Sequence, residues 1–309
     1  MVLDFYSALR SRFNKLSVLA NIARDYQRIG LDPMRHTRRI FAARGFKDAN
    51  LKIDPDAGFL LSEADRIEGL PQLLAQLRPF ALSRAEELAD KHLVAAKPFY
   101  FNVLHRNDIR SMPELVKFTL SPAMLKILSP YYGLVPNLSH IGIFLSAHTG
   151  SLDNKGTQHG HFDNHDRRHV KMFCYLNDVS SDDGPLTFLP ADKSLWFRRK
   201  TGRIIRSHPV RDDNEWRKYF SERDLVEVTG PAGTVAFLNT TDCLHFGSRC
   251  RPGGRRLTLV THYTKFAEYS YARTTNYQDL NMATSPELRP SNLNEVESLM
   301  FHLVSNPRP

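Results

Sequence analysis

The sequence predicts an α+β protein: a mainly β core with a helical region ahead of it. Three observations carry this. Beyond residue 139, short β-branched and aromatic-rich runs alternate with turn formers. Before it, apolar residues recur at three- and four-residue steps. The composition, 41% hydrophobic and 24% charged over 309 residues, is that of an ordinary globular protein.

The elements follow in chain order. Leu3, Phe5, Tyr6, Leu9, Phe13, Leu16 and Leu19, with Arg and Lys between them, predict a helix that packs on a core; the alternative is a helix on a membrane surface. Ser62 ahead of Glu63 and Asp65 reads as a helix start, and the Ala/Leu/Glu-rich stretch to residue 95 continues it. PELVKFTLSPAMLKILSPYY (113–132) reads as two short helices, each opening near a proline. Strands are then expected at 140–147, 170–179, 185–190, 224–229, 234–239 and 256–263. Asp183-Gly184-Pro185, Gly230-Pro231 and Pro252-Gly253-Gly254 mark turns between them. Several short strands so spaced indicate a sandwich or barrel. From about 267 the chain is polar, with one short helix expected near 293–304. The whole reads as one domain, 1–309: a helical region (1–95), a β core (96–275) and a C-terminal extension (276–309).

Three cysteines are the wrong number for a disulfide framework, no apolar run is long enough to span a membrane, and the N-terminus lacks the order of a signal peptide. A cytoplasmic protein is expected. The net charge of +9 is concentrated in residues 1–47, with ten bases against three acids, and in 193–218, with nine against three. Such segments are solvated faces or receptors for an anionic partner. No nucleic-acid motif accompanies them, and peripheral membrane contact stays open.

Of thirteen histidines, only His161 is followed two positions later by a carboxylate, Asp163. On a strand the two would share a face while Phe162 points away, as two legs of a 2-His-1-carboxylate metal site. His159 and His165 lie in phase with His161 but lack that carboxylate. His245 follows the strand TVAFLN and a turn. Eleven positions later comes Arg256, with Thr258 on the same strand face. A guanidinium fork beside a hydroxyl suits a carboxylate, so the set describes a site for a metal-chelating dicarboxylate. Arg255 is the rival to Arg256, decided by strand register. Cys243 reads as apolar filler, and His169, His208 and His262 as solvated or satisfied polar residues.

On QHGHFDNHDRRHVKMFCYLNDVSSDDGPLTFLPADKSLW and GTVAFLNTTDCLHFGSRCRPGGRRLTL, residues 140–265 resemble the phytanoyl-CoA dioxygenase-like family of Fe(II)/2-oxoglutarate-dependent oxygenases. The resemblance implies a double-stranded β-helix (jelly roll). It implies His161, Asp163 and His245 as iron ligands and Arg256, supported by Thr258, as the 2-oxoglutarate anchor, with Gln158 near co-substrate or substrate. O2 and 2-oxoglutarate would be consumed, succinate and CO2 released, and an unactivated C–H of a small organic substrate hydroxylated. Related halogenases lack the carboxylate, so Asp163 implies a hydroxylase or desaturase. Two features depart from the pattern. Ala191-Asp192-Lys193-Ser194 replaces a Gly-Ser-His loop. Gly160 replaces an aromatic, which implies more room beside the iron. The basic segment 193–218 falls where the family inserts coverings of the active site, and would act as a lid over an anionic substrate such as a thioester, a phosphorylated sugar or a lipid head group. Two other classes remain open: a zinc-dependent hydrolase using the same ligands, and a non-catalytic jelly-roll module binding an anionic ligand or membrane.

Overall fold

The computed structural model describes residues 25–30, 32–47, 50–88, 99–150, 153–163, 166–202, 213–266, 282 and 285–301. The repeat over Leu3 to Leu19, His165 and His208 lie outside the described residues. The strands among those described are β1 (Phe59–Glu63), β2 (Phe101–Asn102), β3 (Asn137–Ala147), β4 (His169–Tyr175), β5 (Leu186–Leu189), β6 (Val226–Val228), β7 (Thr234–Asn239), β8 (Leu244–Phe246) and β9 (Arg255–Thr264). The helices are α1 (Pro33–Ala43), α2 (Leu70–Glu87), α3 (Arg106–Ser111), α4 (Pro113–Thr119), α5 (Pro122–Tyr132), α6 (Ala191–Lys200), α7 (Asn214–Arg217) and α8 (Glu295–Met300). None is long and apolar enough to cross a membrane.

The two proline-opened helices form as expected. In α5, Ser121 caps the start by accepting the Met124 N–H, and Gly133 ends it in the left-handed conformation, φ 71°. The helix expected from Ser62 is a correction. Ser62 and Glu63 belong to β1, which pairs antiparallel with β7, Leu60 opposite Phe237. The run Phe59-Leu60-Leu61 finds an open sheet edge, and a long-range pairing outweighs the local helix-start signature. The helix α2 begins only after Gly69, at φ 82°. A strand therefore lies inside the region read as helical.

Six strands form one antiparallel sheet in the order β1-β7-β4-β9-β3-β2; three form a second, β6-β5-β8. One face of the large sheet buries Met172, Cys174, Phe237, Leu259 and Tyr263 against α2 and α5. The opposite face packs Phe144, Phe173, Tyr175 and Val260 against Leu186, Phe188 and Val228 of the small sheet. Strand β3 is therefore covered on both sides, and its near-continuous burial from Asn137 to Ser146 follows from that. A third cluster, Leu189, Phe197, Trp216, Leu244 and Phe246, sits beyond the small sheet, with Phe162 packed on it. It holds both described ends of the basic segment. Phe197 and Trp216 are wholly buried and Arg198 is buried too, so these ends are packed structure and not an exposed loop; residues 203–212 lie outside the described set.

Candidate metal centre

The small sheet ends in an isolated antiparallel bridge between His161 and His245. The His161 N–H donates to the His245 carbonyl and the His245 N–H to the His161 carbonyl, both at 3.0 Å. Residue 163 is not on a strand, which corrects the expectation that period-two geometry aligns it with His161. The chain leaves the sheet after the bridge, and the Asp163 N–H is tied instead to the Thr240 carbonyl at 2.9 Å. Phe162 does point away, into the third cluster, where Arg198 lies 4.9 Å over its ring.

The outcome is convergence. One ligand atom from each of His161, Asp163 and His245 lies within 4.8 Å of the others, the one such group of His, Cys, Asp and Glu among the described residues. Nδ1 of His161 faces the His159 carbonyl at 2.9 Å, and Nδ1 of His245 faces the Cys243 carbonyl at 3.0 Å. Each carbonyl can only accept, so each Nδ1 is the protonated nitrogen and each Nε2 keeps its lone pair. The His245 Nε2 lies 3.9 Å from Asp163 Oδ2. Burial first, then neighbouring His161, pushes the His245 imidazole down to about 3, so it is neutral. Two imidazoles that present Nε2, together with a carboxylate, are a donor set that suits a divalent transition metal.

The anion end is built by β9 and β3. Ser146 stands opposite Arg256, and Phe144 opposite Thr258. Arg256 is 5% exposed, whereas Arg255 is exposed and gives its N–H to Asp183 Oδ1. Strand register therefore turns Arg256 inward with Thr258. Nη2 of Arg256 reaches Ser146 Oγ at 3.4 Å and Ser248 Oγ at 3.3 Å, and those two hydroxyls are 2.8 Å apart. Its Nε and Nη1, and Thr258 Oγ1, are buried without a hydrogen-bond partner. The guanidinium opposes the rise in the Tyr175 pKa that burial causes. A buried guanidinium with two unspent donors costs stability unless an anion meets it, so these residues fit the far carboxylate of a dicarboxylate. Gly247 allows the close approach: a Cβ there would lie 3.1 Å from Nη1 and Nη2. Ser248 takes a left-handed φ of 62°, an uncommon conformation for a non-glycine residue.

Gln158 reaches the anion end through Ser248, which also contacts Arg256. Its Nε2 donates to the Ser248 carbonyl at 2.7 Å and its Oε1 accepts from the Lys155 N–H at 2.9 Å. It braces the loop that carries Ser248. Gly160 leaves no spare room, a second correction: a Cβ there would meet Trp216 Nε1 at 3.2 Å and Leu244 Cδ1 at 3.3 Å. The indole occupies the space an aromatic at 160 would need. Asp213 ties this corner together. It accepts from Gly160 N–H (3.1 Å), Trp216 Nε1 (3.2 Å) and Arg249 Nη2 (2.6 Å). Burial alone would raise its pKa, but the Gly160 N–H, Arg249 and Trp216 together hold it below the usual carboxylate range.

The sequence reasoning missed Lys171, whose Nζ lies 2.8 Å from Asp163 Oδ2. A lysine at an inward position of an otherwise apolar strand, HVKMFCY, was the available signal. It also took His169 and His262 for ordinary polar residues. They are buried with His140 beside Asp163, which lies 3.7 Å from His169 Nδ1, His262 being 4.8 Å from His140 and 5.0 Å from His169 between ring centroids. Burial, then Lys171, pushes His140 down to about 3 and His262 well below its ordinary value.

The sequence matches no protein-family model and no curated protein. Among solved structures, the chain is similar to HygX from Streptomyces hygroscopicus, with nickel and 2-oxoglutarate bound: TM-score 0.44 and 16% identity, over 73% of this chain and 93% of that one. It is similar to SnoK, a non-heme alpha ketoglutarate dependent carbocyclase from nogalamycin biosynthesis: TM-score 0.47 and 17% identity, over 73% and 89%. The epimerase SnoN, in complex with Fe3+, alpha ketoglutarate and nogalamycin RO, gives a TM-score of 0.39 and 15% identity, over 76% and 85%.

Proposed function

We propose that the chain is a non-haem Fe(II)- and 2-oxoglutarate-dependent oxygenase with a double-stranded β-helix core, acting as a hydroxylase on a small organic substrate. The observation that carries the reading is Arg256, buried with two unspent donors on the face of the large sheet that also carries Lys171, whose Nζ reaches Asp163 of the His161, Asp163 and His245 group. A zinc hydrolase would use the three ligands and leave this guanidinium without a task.

In this reading His161 and His245 bind the metal through Nε2, oriented by the His159 and Cys243 carbonyls, and Asp163 supplies the anionic ligand. Arg256 receives the far carboxylate of 2-oxoglutarate, Thr258 beside it donates a hydroxyl, and Ser146 and Ser248 hold Nη2 in place. Fe(II) with 2-oxoglutarate and O2 supplies the oxidising power, releasing succinate and CO2. The protein's share is geometry and dryness: Phe144, Phe173 and Phe188 pack between the sheets and keep water from the space they fill. A cytoplasmic location and a resemblance to phytanoyl-CoA dioxygenases belong to the same proposal.

Anaerobic titration of the Fe(II)-loaded protein with 2-oxoglutarate tests it. A visible charge-transfer band that grows with the co-substrate in the wild type, and needs far more of it in Arg256→Ala, is the expected result. Tight metal binding with no response to 2-oxoglutarate would sink the proposal.

A further inference from the structure

We infer that the Lys171 ammonium receives an oxyanion group, carboxylate or phosphoryl, on the substrate. The inference rests on the oxygenase reading. Lys171 faces inward from β4, flanked by His262 on β9 and Leu238 on β7. Its side chain is 13% exposed and pairs with Asp163, itself 10% exposed. Lysine is rarely buried to this degree unless paired, and here its partner is also a metal ligand. An ammonium carries three N–H donors, so an ion pair with one carboxylate leaves capacity on it.

Charge inventory gives the substrate class. The candidate centre has Asp163 as its anion and Lys171 and buried Arg256 as its cations. The imidazoles beside them carry no negative charge in either protonation state, so they cannot offset these cations. The other buried acids among the described residues are spoken for: Asp213 by Arg249 at 2.6 Å, Asp166 by Arg28 at 3.8 Å and Asp25 by Arg167 at 3.0 Å. A divalent metal and a dianionic co-substrate cancel each other, so the loaded centre keeps one uncompensated positive charge. Uncompensated charge away from water is unfavourable. The remaining component, the substrate, is the one that can neutralise it. Arg256 is engaged by the co-substrate, which leaves Lys171 as the receptor.

The test uses full-length protein loaded with Mn(II) and 2-oxoglutarate, and matched probes: benzoate and phenyl phosphate against benzamide, with acetate against acetamide as a smaller pair. Binding is read by calorimetry and by the Mn(II) resonance spectrum. The wild type should prefer an anion to its neutral partner by at least about tenfold; which of benzoate and phenyl phosphate wins separates carboxylate from phosphoryl substrates. Lys171→Met should lose the preference and Lys171→Arg keep it. Metal affinity in Lys171→Met should hold or rise, because a cation next to the site has gone. Neutral probes binding as well as anions, no probe binding at all, or a preference that survives in Lys171→Met would each overturn the inference. So would loss of metal in Lys171→Met, which would make the Asp163 ion pair the residue's whole task. If Lys171→Met does not fold, Lys171→Gln replaces it under the same criteria. Absence of metal or 2-oxoglutarate binding in the wild type would instead defeat the oxygenase reading.

Discussion

His161 and His245 each donate a backbone N–H to the other's carbonyl at 3.0 Å, although more than eighty residues separate them. Their rings, 4.2 Å apart between centroids, are therefore set by a sheet bridge and not by side-chain packing alone. Substitutions around the bridge can then be sorted by whether they disturb the backbone pair or the atoms beyond it.

Arg256 and Arg255 should separate sharply. Arg256→Ala removes the buried guanidinium and is expected to weaken 2-oxoglutarate binding by about 3–5 kcal/mol, roughly a hundredfold or more. Arg255→Ala, at an exposed position, should change it by less than about 0.5 kcal/mol. Titration of the metal-loaded variants decides; equal losses would refute the strand-register assignment.

Ser248→Gly should split stability from binding. Glycine relieves the left-handed φ of 62°, worth about 1 kcal/mol. It also removes the hydroxyl that holds Arg256 and Ser146. An unchanged or higher melting temperature with weaker 2-oxoglutarate binding is expected. If both improve, the hydroxyl has no part in placing the guanidinium.

Gly160→Ala should cost about 1–3 kcal/mol, because the new methyl group presses on Trp216 and Leu244, both fixed in the third cluster. Urea unfolding measures it. A neutral result would mean that the indole has room to move, and that Gly160 does provide the space expected of it.

The metal-free protein should lose stability as pH falls from about 6.5. His140 and His245 are held at about 3 and His262 well below its ordinary value, all by burial first. The unfolded chain titrates near 6.5, so below that pH it takes up protons that the folded chain refuses. Each such histidine contributes at most about 1.4 kcal/mol per pH unit, fully developed above about 6.5 and eroding towards the folded values. Urea midpoints at about pH 7.5 and pH 5 should differ accordingly, with a smaller difference in His140→Gln. A flat profile would mean that these rings take up protons inside the fold.

Much of the site was legible because it follows local spacing. His161 and Asp163 are neighbours in the chain, and Arg256 and Thr258 share a face by strand period. The strands from β3 onward also announced themselves through β-branched runs bounded by turn residues, apart from short β8. What escaped notice depends on pairing across long distances. Strand β1 is a strand because β7 offers it an edge. Lys171 meets Asp163, and Trp216 fills the space at Gly160, only after the sheets assemble. The burial of His140, His169 and His262 has the same origin: three strands, adjacent in space, that the linear chain keeps apart.

The cross-chain bridge also dictates an order of events. Of the three converging ligands, His161 and Asp163 are already near each other in the unfolded chain, while His245 arrives when β5 and β8 have paired and the bridge closes. Contacts of such sequence separation form late and slowly. The complete three-ligand set would therefore follow folding, unlike small zinc modules, where binding and folding are one step. A metal would be loaded into a finished site, and would then act as a latch on the pairing that closed last.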